Sequence, residues 1–343
     1  MFTMNDILAE IKKLKIVSII GMGKNVGKTT TMNYLIKQFW GKATLGLTSI
    51  GLDGEKFDIL SGYKKPRIYV RSGTLIATAK TSLLKGDFTR EILRTLPRST
   101  PMGKVIIARA LSDGYVELAG PSISREISFV CNTLKELGAE IIFVDGALSR
   151  KSLAAPGVTK GVLLATGASI SRDFNEVISA TINTVELLQT KEEENSEIIN
   201  IYKDFSKDYK LIFIYTDHMN LIKVDSVIGS SKEILNNLDE TIRYVLINGV
   251  VTDNLILSII KSPYAKFMKI VLEDGTKLFL SPGVLNKLHA VGCEISVVKS
   301  INLIGITINP YSPEGYEFDK TAYLEELKSK LNYPILNVMD VIK

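Results

Sequence analysis

The sequence predicts an α/β protein with a mostly parallel, doubly wound central sheet, helices on both of its faces, and a second, smaller α/β unit. Two observations predict this class. Short apolar segments alternate along the chain with segments of helical periodicity. Several apolar segments, such as 105–108 (VIIA) and 141–144 (IIFV), lack polar alternation, which is typical of parallel strands buried on both faces.

The chain up to about residue 190 supplies most of the predicted sheet. The strands are short apolar or β-branched runs, and the helices carry apolar residues three or four positions apart, as at Ile127, Val130 and Leu134. Gly138 then supplies a helix stop. We predict strands at 16–20, 43–48, 67–70, 105–108, 115–119, 141–144 and 161–166, and helices at 28–39, 80–84, 125–137 and 172–189.

The remaining chain opens with a polar, acidic stretch, 190–197 (TKEEENSE), which has no periodicity and is predicted to be a solvated junction. A smaller α/β pattern follows, with strands at 211–215, 244–251, 268–280 and 295–298 and helices at 253–261 and 284–291. The sequence ends on a strand at 303–308, a helix at 320–331 and an apolar run at 335–338.

Composition and charge argue against several classes of protein. The 343 residues carry a net charge of +5 and no polybasic run, so we expect neither a nucleic-acid partner nor an anionic membrane surface. No apolar run reaches about 18 residues and no signal-peptide pattern is present, so a cytoplasmic protein without a membrane span is expected. Cys131, Cys293, His218 and His289 are too scattered to predict a disulfide or a zinc site.

The most informative stretch is KIVSIIGMGKNVGKTTTMN, residues 15–33. An apolar strand, a glycine-rich loop, Gly27-Lys28-Thr29 and a helix together form a phosphate-binding P-loop. Glycines let backbone N–H groups surround an anion, and the helix N-terminus adds donors and a positive dipole end. The predicted nucleotide-binding residues are Gly23, Lys24, Asn25, Val26, Gly27, Lys28, Thr29 and Thr30.

Each polar group of this motif has a chemical task. The Lys28 ammonium reaches the β- and γ-phosphates and is predicted to be catalytic, and the Thr29 hydroxyl ligates Mg²⁺. Gly21 to Gly27 encloses five residues, because Met22 occupies the position of the first glycine in the usual pattern. The alternative interpretation is a glycine-rich turn between an ordinary strand and helix.

Three carboxylates are candidates for the metal. Asp145 follows the 141–144 strand, where a carboxylate of P-loop enzymes holds the water shell of Mg²⁺. Asp53 and Glu55 lie in the loop after the second strand, and strand ends of a parallel sheet face the site. We predict all three as metal-binding, with Asp53 and Asp145 also catalytic. An exposed acidic turn is an equally good interpretation of GLDGE.

The P-loop, the 141–145 strand and the Asn309…Pro334 ending resemble the dethiobiotin synthetase and MinD-type ATPase superfamily. The resemblance implies a discontinuous nucleotide domain, 1–190 and 298–343, with 195–297 inserted as a partner-binding candidate; two consecutive domains are the alternative. It also implies that Asn309 reads adenine, since its amide both donates and accepts, although Asn before Pro is also a turn signal. No NKxD-type sequence is present, so ATP is expected rather than GTP.

Lys24 departs from the MinD-type pattern. In that class a second loop lysine, five residues before the GK lysine, reaches across a homodimer to the partner's nucleotide. The equivalent position here is Gly23, and Lys24 lies four residues before Lys28. A trans-acting lysine and a homodimer therefore stay open, and Lys24 is expected to touch phosphate within its own chain.

A narrower resemblance rests on IGMGKNVGKTTTMNYL, TSIGLDGE, GTLIATA, LSDGYVELAGPS and FVDGALSRKS, which are similar to the small subunit of the lysine 5,6-aminomutase reactivase. It implies an ATPase that couples hydrolysis to ejection of damaged cobalamin from an adenosylcobalamin-dependent aminomutase, with a larger MutS-like ATPase subunit as partner. The alternative is an ATP-dependent ligase that activates a carboxylate, with the 113–122 and 146–152 loops as its pocket. A nucleotide-binding module with negligible turnover is a third interpretation.

Overall fold

The structure is a computed structural model that describes residues 4–51, 67–100, 102–147 and 159–339. It divides into two compact units, one comprising Met1–Ile178 with Asn302–Lys343 and the other Ser179–Ile301. The units change over at 178/179 and 301/302, whereas the sequence prediction puts the borders at 190–195 and 297–298.

The described helices and strands alternate along parts of the chain, and elsewhere two or three strands follow one another directly. The helices are α1 (Met4–Leu14), α2 (Lys28–Phe39), α3 (Lys80–Leu84), α4 (Ser124–Glu136), α5 (Phe174–Leu188), α6 (Ser196–Phe205), α7 (Ser231–Asn236), α8 (Asp253–Ile260), α9 (Val284–Ala290) and α10 (Lys320–Lys330). The strands before residue 178 are β1 (Ile16–Gly21), β2 (Leu45–Ser49), β3 (Ile68–Val70), β4 (Leu75–Ala79), β5 (Arg90–Thr100), β6 (Gly103–Ala110), β7 (Gly114–Val116), β8 (Ile141–Ala147) and β9 (Gly161–Gly167). Those that follow are β10 (Leu211–Tyr215), β11 (Met219–Ile222), β12 (Ile242–Ile247), β13 (Val251–Thr252), β14 (Lys269–Leu272), β15 (Leu278–Phe279), β16 (Glu294–Val297), β17 (Leu303–Asn309) and β18 (Ile335–Asn337).

A nine-stranded sheet forms the centre of the first unit, in the order β18-β17-β9-β1-β8-β2-β4-β6-β5. The pairs from β18 to β4 are parallel, and β6 and β5 add an antiparallel edge. The mostly parallel α/β sheet is thus confirmed. Two predicted strands are wrongly placed, because the segments 67–70 and 115–119 give β3 and β7, which pair only with each other.

Helices cover both faces of this sheet, as the alternation along β2 shows. Leu45 and Leu47 pack into the core that includes side chains of α1 and α2. Gly46 lies between them and faces the opposite side, where a Cβ would meet Ala139 Cβ at 3.0 Å and Leu134 of α4 at 3.5 Å. Side chains of a strand alternate between faces, so α2 and α4 lie on opposite sides of the sheet.

The second unit is also α/β. Its main sheet has the order β11-β10-β12-β14-β16, in which β12, β14 and β16 are parallel and β10 and β11 antiparallel. One face packs against α7, α8 and α9, and the other packs against Ile198 and Tyr202 of α6.

The predicted solvated junction at 190–197 is exposed at residues 191, 192 and 194–197, and Glu193 is the acidic residue that departs from the prediction. Glu193 is 5% exposed, and its carboxylate accepts a hydrogen bond from Ser296 (2.7 Å) and lies 3.0 Å from the Lys269 ammonium. Glu192 accepts hydrogen bonds from Ser300. The carboxylates of Glu192 and Glu193 therefore bind residues of β14, of β16 and of the segment after β16, all far away in the sequence.

No helix within the described ranges is long and apolar enough to cross a membrane.

Candidate functional site

A loop of six residues connects the central strand β1 to helix α2. β1 lies between β8 and β9 in the sheet, pairing with both in parallel. It ends at Gly21, and α2 begins at Lys28. We call residues 21–28 the glycine loop.

The backbone of the glycine loop twice takes up the left-handed region. Gly27, with φ +93°, is the N-cap of α2, and Asn25 has φ +57°. Glycine adopts such angles freely, and Asn is among the few other residues that tolerate them. Backbone N–H groups at a helix start of this kind bind anions.

Lys28 folds back over the loop that precedes it. Its ammonium donates a hydrogen bond to the Gly23 carbonyl oxygen at 2.9 Å. A Cβ on Gly21 would lie 2.6 Å from both Cγ and Cδ of Lys28 and 2.8 Å from Val26 Cγ2. Only glycine at position 21 therefore allows the lysine stem to pass so close to the end of β1. Lys28 is half-buried, and the hydrogen bond to Gly23 holds its charge against the loop.

Two neighbouring strands hold the glycine loop in place. The Asn309 side chain, at the end of β17, donates from Nδ2 to the Asn25 carbonyl at 2.8 Å. After β9, the Ser169 hydroxyl donates to the Lys24 carbonyl at 2.7 Å. The Met22 amide donates to the Ala165 carbonyl at 2.9 Å. The glycine loop is thus anchored at the carboxyl ends of β1, β9 and β17.

Asn309 has a structural contact on both ends of its amide. Besides the bond to Asn25, its Oδ1 accepts from the Tyr311 amide at 3.2 Å, and the residue is 9% exposed. Adenine recognition stays a prediction. The second N–H of Nδ2 and the second lone pair of Oδ1 are the groups that such recognition would use.

Asp145 lies on the strand beside β1. β8 continues through it to Ala147, so Asp145 is a strand residue rather than the first residue after the strand. It pairs in register with Ile19 of β1 and with Ser49 of β2. Since Gly21 is level with Ala147, the half-buried Asp145 lies near the same end of the sheet as the glycine loop.

The other predicted site residues are distributed as follows. Thr29 and Thr30 are half-buried in the first turn of α2, Val26 is fully buried, and Lys24 and Asn25 are exposed. Asp53 and Glu55 lie outside the described residues, as does the 146–152 loop from residue 148 onward.

Sequence reasoning missed two groups that support the loop. Thr31 donates to the Gly27 carbonyl at 3.0 Å and lies 3.0 Å from the Thr307 hydroxyl of β17, in a buried pair. The other group is Ser169, after β9. Small residues follow the apolar strand at Thr166-Gly167-Ala168-Ser169, and this pattern could have indicated a segment that supports the glycine loop.

Within the described part of the chain, no group of three or more His, Cys, Asp or Glu residues could hold a metal ion. Mg²⁺ commonly binds one or two carboxylates together with phosphate oxygens and waters, so it does not need such a cage. The Thr29 hydroxyl and the Asp145 carboxylate are oxygen donors of the type that this ion prefers.

Comparison with known proteins gives no family model that matches the chain and no curated protein that matches it.

Proposed function

We propose that the chain is a P-loop ATPase that binds Mg-ATP at the glycine loop. The observation that carries the proposal is Lys28, which begins α2 and folds over the loop to within 2.9 Å of the Gly23 carbonyl. A nucleotide phosphate has a stronger negative charge than a carbonyl oxygen, so it would displace this carbonyl and take the ammonium. Loop N–H groups and the α2 dipole would stabilise the same phosphates.

Each of the polar residues of the site has its own proposed role at the phosphates. Lys28 neutralises charge that develops on the β- and γ-phosphates, as expected for phosphoryl transfer. When bound, Mg²⁺ supplies Lewis-acid stabilisation of the phosphate oxygens. Thr29 would hold the ion through its hydroxyl, and Asp145 would orient its waters from β8. Asp53 and Glu55 remain proposed contributors to the metal and to the attacking water.

The proposed purpose of hydrolysis is reactivation of an adenosylcobalamin-dependent aminomutase, together with a larger MutS-like ATPase subunit. This part rests on the sequence resemblance. The resembling segments include β1 with the glycine loop, the end of β2, β4 and β8, all of which belong to the first unit. Residues 195–297 are proposed to bind the partner, since none of those segments lies there. A cytoplasmic location is part of the same proposal.

Phosphate release from Mg-ATP tests this function. The purified chain is assayed alone, with the aminomutase, and with the aminomutase plus the candidate large subunit. We expect slow release alone and stimulation of roughly a thousandfold by the two proteins together, the lower end of what a catalytic group supplied by a partner gives. Lys28→Ala removes the stimulated release. Intact ATP binding without stimulation by either protein would contradict the reactivase assignment.

A carboxylate-activating ligase is the second candidate, and part of its predicted 113–122 loop lies close to Asp145. The segment 119–121 runs directly along the end of β2, where a Cβ on Gly120 would lie 1.7 Å from the Ser49 carbonyl. The Gly51 amide donates to the Pro121 carbonyl at 2.8 Å. This packed wall lies beside Asp145, because Ser49 and Asp145 are register partners. Phosphate release that requires a small carboxylic acid and no protein partner would favour the ligase.

A further inference from the structure

A basic pocket of ≈ 670 Å³ lies in the first unit, at the end of the central sheet opposite the glycine loop. Ile16, where β1 begins, lines it, whereas the glycine loop follows the end of β1. Five lysines line this basic pocket: Lys12, Lys15, Lys42, Lys135 and Lys160. They come from the last turns of α1 and α4, the turn after α2, and the residues before β1 and β9.

The charge of the basic pocket is not compensated by the chain as described. Glu140 is its one acidic lining residue, and its Oε2 accepts a hydrogen bond from the Thr44 amide at 2.6 Å. None of the five lysines forms a salt bridge with an acid that the structure describes. All five lysines are exposed. Like charges that line one pocket repel one another, and a bound anion would relieve that repulsion.

Lys15 carries one of these charges at a backbone position that would suit glycine better. Its φ is +66°, in the left-handed region that costs a residue with a Cβ. Its amide donates to Ile11 at 2.9 Å to end α1, and its carbonyl accepts from Ile142 at 2.7 Å to begin the strand pairing. Glycine is the usual residue at this position of a helix end. Lysine makes this turn harder to form than glycine would, and it adds a positive charge to the pocket.

The rest of the lining is apolar. Leu14, Ile16, Phe39, Ile141 and Ile142 contribute to it. The volume lies within the range of small-molecule sites, about 300–1,000 Å³. Charged rim groups over an apolar floor suit a ligand that has both kinds of surface.

We propose that the basic pocket binds a small polyanion, a compact apolar body that carries at least two negative charges as phosphate or carboxylate. The site is distinct from the glycine loop, although α2 joins them: Lys28 begins this helix, and its last residue, Phe39, lines the basic pocket. The proposal does not depend on ATP hydrolysis at the glycine loop.

The chain carries its own reporter for this site. Trp40 is the single tryptophan. It lines an adjoining cavity of ≈ 580 Å³ that shares Lys42, Ala43 and Glu140 with the basic pocket. Pyrophosphate and 1-naphthyl phosphate are the probes, titrated into the 343-residue chain carrying Lys28→Ala, which weakens phosphate binding at the glycine loop. Tryptophan fluorescence follows pyrophosphate, and calorimetry follows both. We expect saturable binding, with 1-naphthyl phosphate the tighter ligand because of its apolar ring.

Single substitutions that each remove one positive charge make the test specific. Lys15→Gly should weaken binding by about fivefold to tenfold, the loss of one charge-assisted contact, without lowering the melting temperature, since glycine suits φ +66°. Lys135→Gln should weaken binding similarly. The control is Lys104→Gln, an exposed lysine of β6 that does not line the pocket; its affinity should not change.

Glu140→Gln should tighten binding, because it removes the one acid yet keeps an acceptor for the Thr44 amide. Absence of saturable binding in the Lys28→Ala background would overturn the proposal. So would equal weakening by Lys104→Gln and Lys15→Gly, which would indicate nonspecific attraction to the basic surface.

Discussion

Gly21 sets the shape of the glycine loop through what its missing side chain allows. Lys28 passes within 2.6 Å of the position a Cβ would occupy, and Val26 lies at 2.8 Å. Gly23 is different, since a Cβ there would meet Val26 at 3.6 Å and Ile170 at 3.8 Å, which is ordinary contact.

Gly21→Ala should therefore lower the free energy of unfolding by about 1–3 kcal/mol, the usual cost of overpacking. It should also weaken Mg-ATP binding, because Lys28 must move. Gly23→Ala, the matched control, should change the free energy of unfolding by less than about 0.5 kcal/mol. Urea unfolding of the two variants measures the difference, and equal destabilisation would contradict the packing argument.

The two cysteines are buried core residues. Burial raises the pKa of the Cys131 thiol to about 12, and burial raises that of Cys293 to about 12, from an ordinary 9.0. Both thiols therefore stay protonated in the folded chain at neutral pH. The unfolded chain releases these protons above pH 9 while the folded chain keeps them, so stability should fall as the pH rises from 9 towards 12.

We expect neither cysteine to react with a thiol-specific disulfide reagent at pH 8 until the chain is unfolded in urea. Counting reacted thiols with and without urea measures this. Fast reaction of one thiol in the folded chain would show that it lies in an exposed environment.

At the scale of single residues, the local chemistry of the site could be predicted from the sequence, whereas its long-range contacts could not. Strand, glycines, lysine and helix follow one another within residues 15–33, so their relation could be seen in the sequence. The bond from Asn309 to the Asn25 carbonyl joins residues 284 positions apart. Nothing local in the sequence indicates such a pair, and the same amide was predicted to face adenine.

At the scale of secondary-structure elements, the turn into α6 depends on the buried carboxylate of Glu193. Burial alone would raise the pKa of Glu193. Hydrogen bonds from Ser296 and the Asn195 amide, together with the Lys269 ammonium, have the larger and opposite effect, so the pKa lies below the ordinary value. This stabilisation is complete above the unfolded-state pKa and is lost as the pH falls through the lowered pKa of the folded chain.

Glu193→Ala should lower the free energy of unfolding by about 2 kcal/mol at pH 7, because it leaves Ser296 and Lys269 without their acceptor. The adjacent Glu194 is exposed and is the matched control, and Glu194→Ala should stay within about 0.5 kcal/mol. Urea unfolding at pH 7 and pH 3 compares the variants with the parent chain. The difference between the parent and Glu193→Ala should shrink at pH 3, and a difference that stays the same would contradict the ionised role of Glu193.

The antiparallel edge of the central sheet shows why some elements escaped prediction. β5, REILRTLPRST, carries charged residues and Pro97, and its Ile92 is 61% exposed, so it has no apolar face to recognise. Edge strands often carry charges and proline. β6 was predicted from its apolar run, but its antiparallel direction follows from the β5–β6 hairpin, which the sequence did not reveal.

For the whole molecule, the α/β class could be predicted because many strands are uniformly apolar and alternate with helices. The division of the chain was harder to place, since 178/179 falls inside α5, a continuous helix with no composition shift. The acidic stretch at 190–197 looked like a boundary because the partners of its carboxylates, Ser296, Ser300 and Lys269, lie about 80 to 110 residues further along the chain.

The central claim is that Lys28 and the glycine loop bind the phosphates of Mg-ATP. The most direct test is calorimetric titration of Mg-ATP into the parent chain, Lys28→Ala and Lys37→Ala. Lys37 is exposed in the last turn of the same helix and serves as the control. We predict that Lys28→Ala weakens binding by about tenfold to a hundredfold, the loss of a charge-assisted hydrogen bond, while Lys37→Ala binds like the parent chain. Equal affinity of all three chains for Mg-ATP, or no binding by the parent, would contradict the claim.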